Sequence, residues 1–256
     1  PKILPGTEVI IHGKKKIKGV ISSIPPHLQT GKRTKPWSMT EIFIDTGLND
    51  LDLQANVRVG DYISLPKSFI SLKNSRVAGA SLDNRVGVSL LVDIAQSLNK
   101  VTDFTIVFAA TFGEEIGLRG GITSSYRIKP DIGICLDVSF GDFPGQPNLL
   151  TKLGSGPILS IGPVYHSVFQ NFIKKTAKRK KIKFQHEIEN RPGGTNAGPI
   201  QLSGAGIAVA GISVPIRNMH SPVEVADLND IKNTSKLIKE VISTLKISIL
   251  EKVKCY

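Results

Sequence analysis

From Pro1 to about Leu72, apolar and β-branched residues gather in short runs: Glu8–His12, Lys18–Ser22, Glu41–Asp45 and Asp61–Leu65. Gly6, Gly13, Pro25, Pro26, Gly31 and Gly47 fall between them. Short runs punctuated by glycine and proline predict strands and turns, so residues 1–72 read as a small β-domain. Pro25–Trp37, rich in Pro, Lys and polar residues, predicts an exposed loop or a contact with another subunit. After about Lys73 the period lengthens. Leu91, Ile94, Ala95 and Leu98 recur at helical spacing in a segment starting near Asp83. Ile238, Val241, Ile242, Leu245 and Ile249 share one face of a last helix. Phe104–Ala110, Ile132–Leu136 and Ile207–Val214 are continuous apolar runs, the pattern of strands buried on both faces. Strands alternating with helices predict an α/β layer sandwich over residues 73–256.

Composition narrows the class. With 256 residues, 40% hydrophobic and 21% charged, the chain has the make-up of a folded protein of one large or two unequal domains. No apolar run approaches the roughly 20 residues of a bilayer crossing. Two cysteines, Cys135 and Cys255, are too few for the disulfide framework of a secreted domain. No signal-peptide pattern follows Pro1, so the cytoplasm is the expected location. A first residue other than Met is expected of a piece of a longer protein. Lys and Arg number 33 against 21 Asp and Glu, for a formal charge of +12, and Lys174–Lys183 is the densest basic run. Such a run can neutralise phosphates. Here Val168, Phe169, Phe172 and Ile173 place an apolar stripe just before it, which predicts the solvated end of a helix. No aromatic interleaving accompanies the lysines, so nucleic-acid binding is not expected. The glycines at 154, 156, 193 and 194 do not follow a strand in a phosphate-loop pattern and read as turns.

Candidate chemistry lies at the ends of the predicted core elements. Asp83 opens a helix, Glu114 and Glu115 follow the run Phe104–Ala110, Asp137 ends the run Ile132–Leu136, and His220 follows the third apolar run. Parallel sheets place ligands at the carboxyl ends of their strands, where these groups can converge. Carboxylates with an imidazole suit Zn, Co or Mn rather than a thiolate-bound structural zinc. Two metals sharing a carboxylate would lower the pKa of a bridging water, and a nearby carboxylate that is not a ligand can take its proton. Each residue also has a plain explanation. Asp83 can cap its helix, the two glutamates can favour a helix dipole, and Asp137 and His220 can be polar turn residues.

The ordered motifs are more specific than any one residue. Ala80-Ser81-Leu82-Asp83-Asn84-Arg85, Gly113-Glu114-Glu115-Ile116-Gly117-Leu118-Arg119-Gly120-Gly121, Lys129-Pro130-Asp131 and Leu136-Asp137-Val138 occur in that order. Gly193-Gly194-Thr195-Asn196-Ala197-Gly198 and Val214-Pro215-Ile216-Arg217-Asn218-Met219-His220-Ser221-Pro222 follow. Upstream stand Leu4-Pro5-Gly6, Gly19-Val20-Ile21 and Pro25-Pro26-His27-Leu28. Together they resemble the deblocking and glutamyl aminopeptidases that form tetrahedral assemblies, some of which are labelled endoglucanases. The resemblance implies a zinc-exopeptidase-like sandwich with a central mixed sheet, carrying a β-barrel-like inserted domain that serves subunit contacts. It implies two divalent metal ions (Zn, Co or Mn), with Asp83 bridging, Glu115 and His220 completing one site and Asp137 in the other. Glu114 is then the general base for removing an N-terminal residue from a peptide, and a dimer-based dodecamer is the expected assembly.

Two departures bear on this. The family's Ala-His-x-Asp segment, whose His completes the Asp137 site, has no counterpart here and is expected upstream of Pro1. Asn196 stands where relatives usually have Asp, which removes a negative charge that could attract a substrate ammonium. A catalytically impaired or regulatory subunit is therefore the alternative, and a glycoside hydrolase a further one, since paired carboxylates also serve that chemistry.

Overall fold

The computed structural model describes residues 4–25, 28, 36–66, 69–98, 103–143, 145–146, 151–191 and 193–253. Most of Pro25–Trp37, and Cys255, lie outside them. The chain divides into two compact units, Pro1–Ser68 and Phe69–Tyr256.

In the first unit, strands β1 (Glu8–His12), β2 (Lys16–Ser23), β3 (Ile42–Asp45) and β4 (Tyr62–Ser64) form an antiparallel sheet in the order β3-β2-β1-β4. Val9 and Ile11 of β1 and Ile17 and Ile21 of β2 are buried, so alternate positions along each strand supply the unit's core. A short helix, α1 (Asp50–Asn56), is added to the expected strands. Its start is capped by Asn49, whose Oδ1 accepts from the Asp52 amide at 2.9 Å.

The second unit contains β5 (Phe69–Ser71), β6 (Arg76–Gly79), α2 (Leu82–Ser97), α3 (Arg119–Ile128), β7 (Ile132–Phe140), β8 (Ile158–Ile161) and α4 (Ser167–Arg179). It continues with β9 (Gln185–Ile188), α5 (Ala197–Gln201), β10 (Ala208–Arg217), β11 (Glu224–Asp227), α6 (Leu228–Thr244) and α7 (Ile247–Val253). The mixed sheet runs β5-β6-β11-β10-β8-β9, and β7 lies parallel along β10. β10 is its axis and the longest apolar strand. Ala208, Ala210, Ile212, Val214 and Ile216 face a core built with α2, α4 and α6, whereas Val209 faces a smaller one with Ala197 of α5. The period of two along this one strand makes the unit a sandwich with helices on both faces.

Four details depart from the pattern. Residues 104–110 join no ladder among the described residues. Burial alternates there between half-buried Phe104, Ile106 and Phe108 and exposed Thr105 and Val107. An apolar run becomes a strand only beside another strand that accepts its hydrogen bonds. β7 runs on past Leu136, so Asp137 lies inside the strand, opposite Ser213, rather than at its end. The parallel ladder extends it through the polar residues. On α2 the buried stripe is Leu82, Val86, Leu90 and Ile94, rotated from the expected Leu91-Ile94-Ala95-Leu98 face. The last helix breaks at Leu245, leaving Ile249 in α7. The basic run ends α4 as expected: Phe169, Ile173 and Ala177 are buried while Lys175, Lys178, Arg179 and Lys180 are exposed.

Candidate metal centre

Asp83 does not cap its helix. Residues 83 and 84 have non-helical backbone angles, and the Asp83–Asn84 peptide is cis. Asn84 takes the capping role, its Oδ1 accepting from the Gly87 amide at 2.8 Å. Its amide group donates to Asp137 Oδ1 at 2.9 Å and to the Leu136 carbonyl at 3.0 Å, tying the start of α2 to β7. The Asp83 carboxylate is thereby released from helix capping. Glu114 and Glu115 are not in the first turn of a helix either. They sit in a turn before α3, between Gly113 and Gly117, which adopt φ of +73° and +109°. Those angles suit glycine alone at no steric cost.

Asp83, Glu115 and His220 converge: one ligand atom from each lies within 4.8 Å of the other two. His220 Nε2 is 3.2 Å from Asp83 Oδ2 and 3.7 Å from Glu115 Oε1. Two donors bound to one tetrahedral ion, each about 2.1 Å from it, are themselves roughly 3.4 Å apart, so the observed spacing fits a shared divalent cation. His220 holds its place in the left-handed region, φ 60°, a strained conformation for a non-glycine residue. The tether is Glu224, 2% exposed, which belongs to none of the sequence motifs. Its Oε1 accepts from the His220 amide and its Oε2 from the Asp83 amide, both at 2.9 Å. One buried carboxylate thus fixes the backbone of two ligand candidates that are 137 residues apart (220 minus 83). The only sequence trace of Glu224 is a charge inside the apolar stretch Val223–Ala226.

A cavity of about 310 Å³ gathers Asp83, Glu114, Glu115, Asp137 and His220 with Glu187, Glu189 and the Gly193-Gly194-Thr195 turn. It lies at the carboxyl ends of the parallel pair β7 and β10, as expected for such sheets. Burial, with the charges of Glu115 and Glu224, pushes Asp83 up to about 6. Burial pushes Asp137 up to about 7, against a lowering hydrogen bond from the Val138 amide. Glu114 is also raised, by burial and then by Glu115 and Asp83. Carboxylates crowded together without cations resist ionisation, and a bound divalent cation reverses that penalty. Asp137 stands apart from the Asp83-Glu115-His220 group, with Oδ1 engaged by Asn84 and Val138. Asn196 does not line the cavity. Its Nδ2 donates to Thr111 Oγ1 at 3.2 Å, and its side chain packs where Gly121 has no Cβ. The glycine turn at 154–156 is occupied by protein: the amides of Gly154 and Gly156 both donate to the Asp230 carboxylate at 2.7 Å.

The fold is of the zinc-exopeptidase-like class, with an acidic cavity at the ends of its central strands. The family model for M42 glutamyl aminopeptidase matches residues 1–237, and the chain belongs to that family. It is 34% identical over 233 residues to the lysyl aminopeptidase of Pyrococcus furiosus, covering 89% of this chain and 67% of the relative. An aminopeptidase from Desulfurococcus kamchatkensis superposes with a TM-score of 0.88 at 32% identity, covering 99% of this chain and 73% of that one. The Pyrococcus horikoshii TET1 peptidase, which assembles into a tetrahedron or a large octahedral shell, superposes at 0.79 with 27% identity, covering 95% and 74%. The chain spans about two thirds of the length of the curated relatives it matches. Among the described residues no helix is long and apolar enough to cross a membrane.

Proposed function

We propose that this chain carries the catalytic cavity of a metal-dependent aminopeptidase that removes the N-terminal residue from peptides. The observation that supports it most is the convergence of Asp83, Glu115 and His220 beside two further carboxylates, Glu114 and Asp137, in one cavity of a peptidase-family fold. Asp83 is assigned as the ligand common to two ions, Glu115 and His220 as partners in one site, and Asp137 as a ligand of the other. When bound, the divalent ions supply Lewis-acid polarisation of the scissile carbonyl and acidify water.

The remaining steps belong to the protein. The Glu114 carboxylate is held by no hydrogen bond among the described residues, so it is available to take a proton from the attacking water and return it to the departing amine. Glu224 keeps the Asp83 and His220 backbones in register, and Asn84 orients Asp137. Assembly into a homo-oligomer is part of the same proposal. The first unit exposes Phe43, Leu51 and Tyr62, apolar surface of the kind that subunit contacts cover.

Hydrolysis of aminoacyl chromogenic amides by the full-length protein, before and after chelation, tests the reading. Activity is expected to vanish on metal removal and return with Zn, Co or Mn; turnover that survives thorough chelation sinks it.

A further inference from the structure

The cavity has a second acidic wall that the proposed chemistry leaves unused, formed by Glu187 of β9 and Glu189 just beyond it. Both are fixed by neighbours. Ser139 Oγ donates to Glu187 Oε2 at 2.6 Å, and the Tyr165 hydroxyl donates to Glu189 Oε1 at 2.7 Å. The Tyr165 ring lies where Gly211 has no side chain, since a Cβ there would meet its Cε1 at 2.5 Å. A Cβ at Gly193 would likewise collide with Glu189 Oε2. Two glycines thus make room for this arrangement, one under the tyrosine and one beside the carboxylate.

Each carboxylate keeps an oxygen without a hydrogen-bond donor among the described residues, and no Lys, Arg or His among them forms an ion pair with either. Half-buried charges are screened less than surface ones. Among the described residues, then, this wall has no cationic partner. Burial and the neighbouring Glu189 raise Glu187 above the usual carboxylate range, as expected of a charge with no counter-ion.

A long side chain can span from one acidic group to the other. Asp137 and Ser139 are two residues apart on the same face of β7, about 7 Å, and Ser139 holds Glu187. A lysine stem of four carbons reaches roughly 6 Å from Cα to Nζ. A substrate with its amine and first carbonyl beside Asp83 and Asp137 would bring a basic side chain to the Glu187–Glu189 wall.

We propose that Glu187 and Glu189 select the side chain of the substrate's first residue, and that they select lysine or arginine. The inference presumes the aminopeptidase reaction proposed above. It differs from the glutamyl preference in the family's description, because this wall repels a carboxylate side chain, and has the same sense as the lysyl activity for which the Pyrococcus furiosus relative is named.

Kinetics of the metal-loaded full-length protein on lysyl, arginyl, leucyl and glutamyl amides test it. The expected order is lysyl and arginyl first and glutamyl last, with about tenfold or more between lysyl and leucyl in kcat/KM. Glu187→Gln keeps the side-chain shape and an acceptor for Ser139, and should lower the lysyl-to-leucyl ratio about tenfold; Glu189→Gln should lower it in the same direction. A wild type that prefers glutamyl or leucyl amides overturns the proposal. So does a ratio unchanged within about twofold in both variants, and so does an equal loss on every substrate, which would assign the wall to the common ammonium.

Calorimetric binding of L-lysine against L-norleucine, which lacks only the side-chain ammonium, reads the wall without turnover. Tighter binding of lysine, lost in Glu187→Gln, supports the proposal; equal binding, or none, overturns it. A protein that favours lysine yet hydrolyses nothing would refute the aminopeptidase reading alone, whereas one that hydrolyses leucyl amide and binds both amino acids equally would refute only the selection of a basic residue.

Discussion

Glu224 and Asp230 lie six residues apart, 2% and 0% exposed, and each commits both carboxylate oxygens to a pair of backbone amides. The carboxylates around the cavity do the reverse. The side chains of Asp83, Glu114 and Glu115 accept no bond from any backbone amide among the described residues, and that of Asp137 accepts only from Val138. A buried carboxylate is tolerable when amides satisfy it, and such groups hold structure together. Carboxylates left open at a cavity are destabilising until a cation arrives. Position in the hydrogen-bond network, more than burial, separates the two kinds of acid.

The largest expected effect comes from removing an open acid. Asp83→Ala should take peptide hydrolysis to background, a loss on the order of 10³-fold or more, and should lower the bound metal measured by atomic absorption. A variant that keeps both its metal and its rate would erase the distinction between open and satisfied acids. Next in size is Glu114→Gln, expected to reduce kcat by roughly 10²–10⁴-fold while metal content stays at the wild-type level. Loss of metal in that variant would move Glu114 from proton transfer to ligation.

Glu224→Gln sharpens the contrast from the other side. The amide keeps one acceptor but turns an N–H group toward either the Asp83 or the His220 backbone amide. Residues behind the ligands that set their orientation typically contribute 10–100-fold to metal affinity or rate, so a metal affinity lowered by about that factor is expected. Unaltered affinity in a chelator competition would mean that His220 keeps its left-handed conformation without this tether.

These roles are unequally legible in the sequence. Asp83, Glu114, Glu115 and Asp137 are visible because each sits in a motif whose order carries information, whereas Glu187 and Glu189, which line the same cavity, belong to no such motif. Glu224 is not visible either, since one charge in Val223-Glu224-Val225 looks like the outward position of an alternating strand. Its importance comes from two amides, at residues 83 and 220, that only the folded sheet brings together. The sandwich follows from the alternation of apolar runs and helical stripes. Residues 104–110 show the limit of that reasoning, because apolarity is a local property and a ladder needs a neighbour. The same limit applies to Asp137, placed at a strand end by its polarity and carried into β7 by pairing with β10.

Asp230 gives the smallest predicted effect on function and the most direct check on the comparison. Its carboxylate satisfies the Gly154 and Gly156 amides, and it does not line the cavity, so Asp230→Asn should leave metal content and hydrolysis within about twofold of wild type. Stability should fall, by about 1–3 kcal/mol, because the amide can accept from only one of the two glycine N–H groups and leaves the other unpaired. Burial raises the wild-type carboxyl from 3.8 to about 6, against the lowering effect of the two amides. Between those values the folded state holds the proton longer than the unfolded state, so this group's contribution to stability is largest at low pH and declines as pH rises through about 6. Asparagine carries no such proton. The stability gap between wild type and Asp230→Asn, read from urea midpoints, should therefore narrow from about pH 4 toward about pH 6.5. A gap that widens over that range would mean that the ionised carboxylate is better satisfied in its turn than its burial implies.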